Sequence, residues 1–253
     1  MHVAILLLLC SFTALVSHVP AGEASNHDAA SYFESGNAKY KRGNYDGAIA
    51  DYTSAIDLNP KDAPAYFNRG LAKQRKGDLD GALADYTSAI DPNPKDALAY
   101  YNRGYLRYDK RAWADALSDF RKASQLVLFQ DDEYVRFRIW LIRARLGERD
   151  AATHELQAYL AQRRPKALDD WPAKIGAFLT GQLSEEAFLK AAESPDEQTS
   201  REQRCKAYFY AGTKRLIDGA KATARRYFEK SLQTGVKTFA EYRSAAAELK
   251  FLK

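Results

Sequence analysis

Asp51–Gly70 reads DYTSAIDLNPKDAPAYFNRG, and 34 residues further on Asp85–Gly104 reads DYTSAIDPNPKDALAYYNRG. Seventeen of the twenty positions are identical, the exceptions being Leu58/Pro92, Pro64/Leu98 and Phe67/Tyr101. An internal period of this length marks a helix–turn–helix unit repeated in tandem. One such unit cannot bury its apolar face alone, so the units must stack. The expected fold class is therefore all-α, a solenoid of antiparallel helix pairs. Its long grooved surface suits holding another polypeptide better than doing chemistry.

Working outward from the duplicated stretch, the first repeat spans 29–62, the second 63–96 and the third 97–130. Helix A of each carries an aromatic at its fourth residue (Tyr32, Tyr66, Tyr100) and glycine at its eighth (Gly36, Gly70, Gly104). Helix B carries alanine at the twentieth position (Ala48, Ala82, Ala116) and at the twenty-seventh (Ala55, Ala89, Ala123). Between them, at the twenty-fourth, stands an aromatic (Tyr52, Tyr86, Phe120). Small residues are needed where the two helices cross closely, and aromatics fill the space beside them. Gly43 and Gly77 stand where helix A must end, Pro60 and Pro94 where helix B must. These residues resemble the tetratricopeptide-repeat (TPR) family over 25–130. Two positions depart from the family pattern: Ser35, Arg69 and Arg103 before the glycine, and Lys39, Lys73 and Arg107 further along. Arg69 and Arg103 are expected to run along the stack and pair with acidic residues of a neighbouring helix.

From 131 to 253 the chain stays helical without the regular repeat. Glu133–Gly147 places Val135, Ile139, Trp140 and Ile142 on one stripe, and Ala151–Arg164 is stopped by Pro165. Trp171–Leu179 and Ser184–Ala192 are two shorter helices, and Pro195–Ser200 reads as a polar loop. A degenerate repeat hairpin is expected over 202–235, with Gly212 and Phe228 at repeat spacing. Phe239–Leu252 is expected to cap the array as an amphipathic helix covering the last pair. Trp140, the DDWP turn, the CKAYFYAG and ARRYFEKSLQTG hairpin and the closing EYRSAAAEL together resemble the bacterial NlpI-type TPR proteins. That resemblance implies an exported envelope protein, often a lipoprotein and a homodimer, that scaffolds peptidoglycan-cleaving enzymes and a processing protease.

At the other end, Val3–Val16 is almost wholly apolar, and no Asp, Glu, Lys or Arg precedes Glu23. Fourteen apolar residues are too few to span a bilayer and suit a secretory leader, placed at 1–24. The chain is expected to be exported, periplasmic or secreted, with membrane association only if the leader is retained or Cys10 is lipidated. Leu7-Leu8-Leu9-Cys10 matches a lipobox at its first position only. Beyond the leader Cys205 is the one cysteine, so stability must come from helix packing, and Cys205 reads as a small buried hydrophobe. The net charge of +5 is uneven: fifteen basic and fifteen acidic side chains over 22–130, but twenty-three and eighteen over 131–253. The excess is scattered, so no nucleic-acid partner is expected from it.

Past the leader the histidines are His27 and His154, with no second ligand at metal spacing, and none of the common catalytic motifs occurs. No enzyme activity, metal or cofactor is expected. Family geometry instead assigns a peptide-binding groove to the inner faces of the A helices: Phe33, Asn37 and Tyr40; Phe67, Asn68 and Leu71; Tyr101, Asn102, Tyr105 and Tyr108. Asparagines there can clamp a backbone and aromatics can supply pockets. The chaperone-binding subclass grips a terminal carboxylate, but Phe33, Leu98 and Asn102 stand where its cations belong. An internal segment or a helix of a protein client fits better. Two alternatives remain: a self-assembling dimer without a client, and an anionic-polymer or RNA binder using the basic second half.

Overall fold

The computed structural model of the 253-residue chain describes residues 21–126, 133–162 and 170–252. Cys10, the leader to residue 20 and the stop at Pro165 lie outside the described residues. Within these, every regular element is an α-helix. Three antiparallel pairs come first: α1 (Ala21–Lys41) with α2 (Tyr45–Leu58), α3 (Ala63–Lys76) with α4 (Leu79–Ile90), and α5 (Ala97–Asp109) with α6 (Trp113–Gln125). α1 begins ahead of the first repeat, at Ala21. Carboxylates and an amide open the helices. Asn44 accepts from the Gly47 N–H at 3.0 Å, Asp62 from Ala65 at 3.0 Å, Asp78 from Gly81 at 2.9 Å and Asp96 from Ala99 at 3.0 Å.

The glycine of each A helix marks closest approach. A Cβ on Gly36 would lie 2.6 Å from the Tyr52 ring, and one on Gly70 would lie 2.8 Å from Tyr86. Both rings are buried, so they have nowhere to move. Gly212 meets Phe228 at 2.8 Å in the same way, within the pair α11 (Glu197–Ile217) and α12 (Lys221–Gln233).

The two departures from the family pattern have one cause. Arg69 donates two bonds to the buried carboxylate of Asp85, at 3.0 and 2.7 Å, and Lys73 joins it at 2.8 Å. One period on, Arg103 grips Asp119 at 3.0 and 2.8 Å with Arg107 at 2.7 Å. In the first repeat Lys39 meets Asp51 at 2.7 Å, and a Ser35 hydrogen bond helps hold the Asp51 carboxyl below its usual range against desolvation. Each arginine also reaches back one repeat, Arg69 to Thr53 at 3.1 Å and Arg103 to Thr87 at 3.2 Å. The pairing therefore ties helix A to helix B and each unit to its predecessor. Tyr66 and Tyr100 lie under the guanidinium groups. Tyr32, with no arginine at the matching position, is 44% exposed rather than packed.

After α6 come α7 (Glu133–Arg145), α8 (Arg149–Gln162), α9 (Trp171–Leu179) and α10 (Glu185–Lys190), then α11, α12 and α13 (Ala240–Phe251). The single stripe expected on α7 is instead burial on nearly every side, from Val135 through Ala144, because α6, α8, α9 and α11 all pack on it. Pro195–Ser200 is no loop: Asp196 accepts from the Thr199 N–H at 2.7 Å and opens α11 at Glu197. α13 covers α11 and α12 but also crosses onto α5. The chain thus curls back and closes on its own third repeat. One apolar core runs from Tyr105 to Ala245, while the first two repeats hold only small clusters.

Breaking a buried ion pair from one side leaves the partner charges stranded. Asp85→Ala should cost on the order of 2–4 kcal/mol, allowing for partial exposure of Arg69 and Lys73. The triple change Asp85→Leu, Arg69→Met, Lys73→Met should recover most of it, as read by urea unfolding followed by circular dichroism.

Candidate functional site

α1 and α3 keep their inner faces open. Phe33 is half-buried against Tyr52, with ring centroids 5.9 Å apart, and Phe67 sits likewise on Tyr86 at 5.7 Å. Asn68 donates to the Asn37 side-chain oxygen at 2.9 Å, and the Tyr52 hydroxyl donates to the same oxygen at 2.9 Å. The two asparagines are thereby oriented by each other and by a buried tyrosine. These bonds leave the Asn37 amide nitrogen as a donor and the Asn68 carbonyl oxygen as an acceptor on the pair. Tyr40 packs edge-on to Tyr45 at 5.4 Å and accepts from Arg75 at 3.3 Å. Leu71 is half-buried beside Leu83 and Tyr86.

The third repeat does not continue this lining. Tyr105 and Tyr108 are 4% and 1% exposed. They lie against the Arg138 guanidinium of α7 and meet Phe120 and Trp113 edge-on at 5.1 Å each. Tyr101 leans on Tyr105 at 4.7 Å, and Asn102 donates to the Leu98 carbonyl of its own helix at 2.8 Å. Tyr101 and Asn102 stay half-buried at the edge of a hollow, while the returning chain takes Tyr105 and Tyr108 into the core. Arg138 of α7 is fully buried among them, its guanidinium 4.6 Å from the Tyr105 ring, 4.5 Å from Tyr108 and 4.4 Å from Phe209. It donates to Ser244 of α13 at 3.1 Å, and Ser244 donates to Asp109 of α5 at 2.6 Å.

α13 becomes the opposite wall. Between it and the C-terminal ends of α3 and α5 lies an open cleft of about 750 Å³. Ala246, Ala247 and Phe251 supply apolar surface there over the buried Leu106, with Lys237, Arg243 and Lys250 around them. Arg243 also borders a second hollow of about 290 Å³ beside Tyr101, Tyr134 and Phe239. Reading Phe239–Leu252 as a one-sided cap misses this wall. Its second face is nevertheless written in the sequence: Tyr242, Ala246 and Lys250 recur every four residues, with Arg243 and Ala247 beside them.

Nothing in the cleft is arranged for bond-making. Burial pushes the Cys205 thiol up, even though it lies 3.5 Å from Ser231. No group of three His, Cys, Asp or Glu among the described residues is placed to hold a metal ion. No described helix is long and apolar enough to cross a membrane. His154 stands exposed on α8.

Fold and groove together define a helical-repeat solenoid built to offer surface. The TPR-repeat family model matches residues 36–77 and 75–110. Among solved structures, the Arabidopsis OM64 TPR domain is 30% identical over 47% of this chain and 97% of its own, with a TM-score of 0.43. The first TPR of Spaghetti (RPAP3), solved bound to the HSP90 peptide SRMEEVD, is 26% identical over 48% of this chain and 95% of its own, at 0.45. The MamA protein shares the fold over 82% of this chain and 92% of its own at 17% identity and a TM-score of 0.51. No curated protein matches the chain. Residues 36–110 therefore carry tetratricopeptide repeats, domains that generally mediate protein–protein contacts.

Asp109 sets a pH dependence at the cleft floor. Burial raises its carboxyl to about 6, and the Ser244 donor and Arg138 charge only partly oppose this. Between about pH 4 and 6 the folded chain holds a proton that the unfolded chain has already lost. This group's contribution is therefore greatest below pH 4 and is lost as pH rises through 6. A neutral amide in place of the carboxyl would keep the Ser244 bond without a charge. Asp109→Asn should gain on wild type by on the order of 1–3 kcal/mol between pH 4 and 7, with no further gain below pH 4. Urea titrations at stepped pH check this.

Proposed function

We propose that the chain is a non-enzymatic adaptor that holds a segment of a protein client along α1 and α3, against the facing wall of α13. The carrying observation is the pre-oriented Asn37–Asn68 pair shared between α1 and α3. A neighbouring donor and acceptor on a rigid wall can engage a passing backbone whatever its side chains. Apolar surface at the half-buried Phe67 and Leu71 supplies anchorage. The apolar leader at Val3–Val16 supports work outside the cytoplasm, in the bacterial envelope. The NlpI-like landmarks of 131–253 support clients drawn from peptidoglycan-remodelling enzymes or a protease.

A photo-crosslinking amino acid placed at Arg75, on the groove, should capture a client in intact cells, and the adduct should fractionate with the envelope. The same probe at Ala151, on α8, should not. Asn68→Ala with Leu71→Ser should lower the capture at least tenfold while the helical spectrum stays unchanged. Equal labelling from both positions would remove the groove from the account, and an adduct confined to the cytosol would remove the envelope.

A further inference from the structure

The cations of the stacked pairs sit on carboxylates: Arg69 and Lys73 on Asp85, Arg103 and Arg107 on Asp119. Those around the cleft do not. Arg243 donates to the Thr238 carbonyl at 2.9 Å. It forms no ion pair with a described residue, and the same holds for Lys237 and Lys250. The cleft's own carboxyl, Asp109, is engaged by Ser244. Glu248 lies behind the wall, buried between Arg111 and Arg145. Lys110 is tied to Asp80. The walls between the free charges are apolar, and low-dielectric walls concentrate a field of one sign rather than letting water disperse it.

We propose that this cleft takes an acidic internal segment of a client protein. Its carboxylate side chains would meet Lys237, Arg243 and Lys250, with an apolar side chain lodged against Ala246 and Ala247 beside Phe251. The assignment rests on the adaptor reading and adds the chemistry of the bound segment. Arg243 is central because it borders both hollows and so can serve carboxylates on either side of the anchor. Phe251 is 51% exposed yet fixed beneath the Arg111 guanidinium at 4.2 Å, a rigid apolar edge already in place before binding. A terminal carboxylate is not what the site selects. Phe33, Leu98 and Asn102 hold the positions where a terminal clamp needs cations, and the free cations lie along the length of α13 instead.

The test uses fluorescence anisotropy on the whole chain with two labelled twelve-residue peptides, one repeating Glu-Leu-Glu-Ala and one its Gln-Leu-Gln-Ala counterpart. The glutamate peptide should bind at least tenfold more tightly at low salt, with the advantage shrinking as salt rises. Arg243→Glu with Lys250→Glu should abolish the preference, whereas Lys122→Glu on α6 should leave it. Equal affinity for both peptides, or binding of neither, overturns the proposal. Oligouridylate that binds more tightly than the glutamate peptide and responds to the same two substitutions overturns it in favour of nucleic acid. The two readings separate cleanly. A client crosslinked through position 75 by a segment lacking carboxylates sinks the acidic assignment and leaves the adaptor standing. Glutamate-peptide binding with no client captured in cells does the reverse.

Discussion

Arg138 sits with no solvent exposure where α5, α7, α11 and α13 meet, and burying a guanidinium costs several kcal/mol unless its surroundings replace water. Three aromatic rings and the Ser244 hydroxyl do so here. Its Nε and Nη2 have no hydrogen-bond partner, so the ring faces carry much of the compensation, an arrangement worth most where water is excluded. Because those rings come from α5 and α11 and the hydroxyl from α13, the charge is tolerable only when all of these helices are in place. The buried cation thus couples the third repeat to the C-terminal helix more than 100 residues away. Glu248 repeats the logic at the far end of α13, where Arg111 of the third repeat and Arg145 of α7 both reach it.

That coupling decides the shape of the binding surface. An open solenoid would carry its groove across every A helix. This one ends the groove at the second repeat, turns the third into core, and supplies a new wall from the opposite direction. Three stacked pairs give a one-sided trough, while three pairs closed by a returning helix give a two-sided cleft. A second wall allows a ligand to be gripped by side chains that no repeat position supplies.

Much of the fold was legible because it rests on period and size. Gly70 and Tyr86 recur at fixed spacing since two helices can approach so closely only there, and Arg69 and Arg103 pointed to carboxylates on the adjoining helix. The failures share another cause. Repeat position alone places Tyr105 and Tyr108 in the groove, a rule that holds only while the next helix continues the stack. On α7 the apolar residues fall on every side, so a search for one stripe finds one and misses the burial of the others. Arg138 itself reads as a surface residue in any local window. Its burial follows from α13 arriving after a long separation, which no periodicity encodes. At Pro195–Ser200 polar composition suggests a loop, but Asp196 with Thr199 three residues on is also a helix opening, and the cap decides it.

Charge placement separates scaffold from surface. Asp85 and Asp119 are buried, and each is met by two cations that double as spacers between successive units, so removing either partner damages the stack itself. Arg243 and Lys250 touch no carboxylate, and nothing in the packing of α13 requires them, since its buried side is carried by Ser244, Ala245 and Glu248. Charges retained beside apolar walls without a structural partner repel one another and weaken the fold slightly. That small cost is offset only when an anion arrives. On the proposed reading, the asymmetry between paired cations inside the array and those without an ion pair along the cleft belongs to recognition rather than to stability.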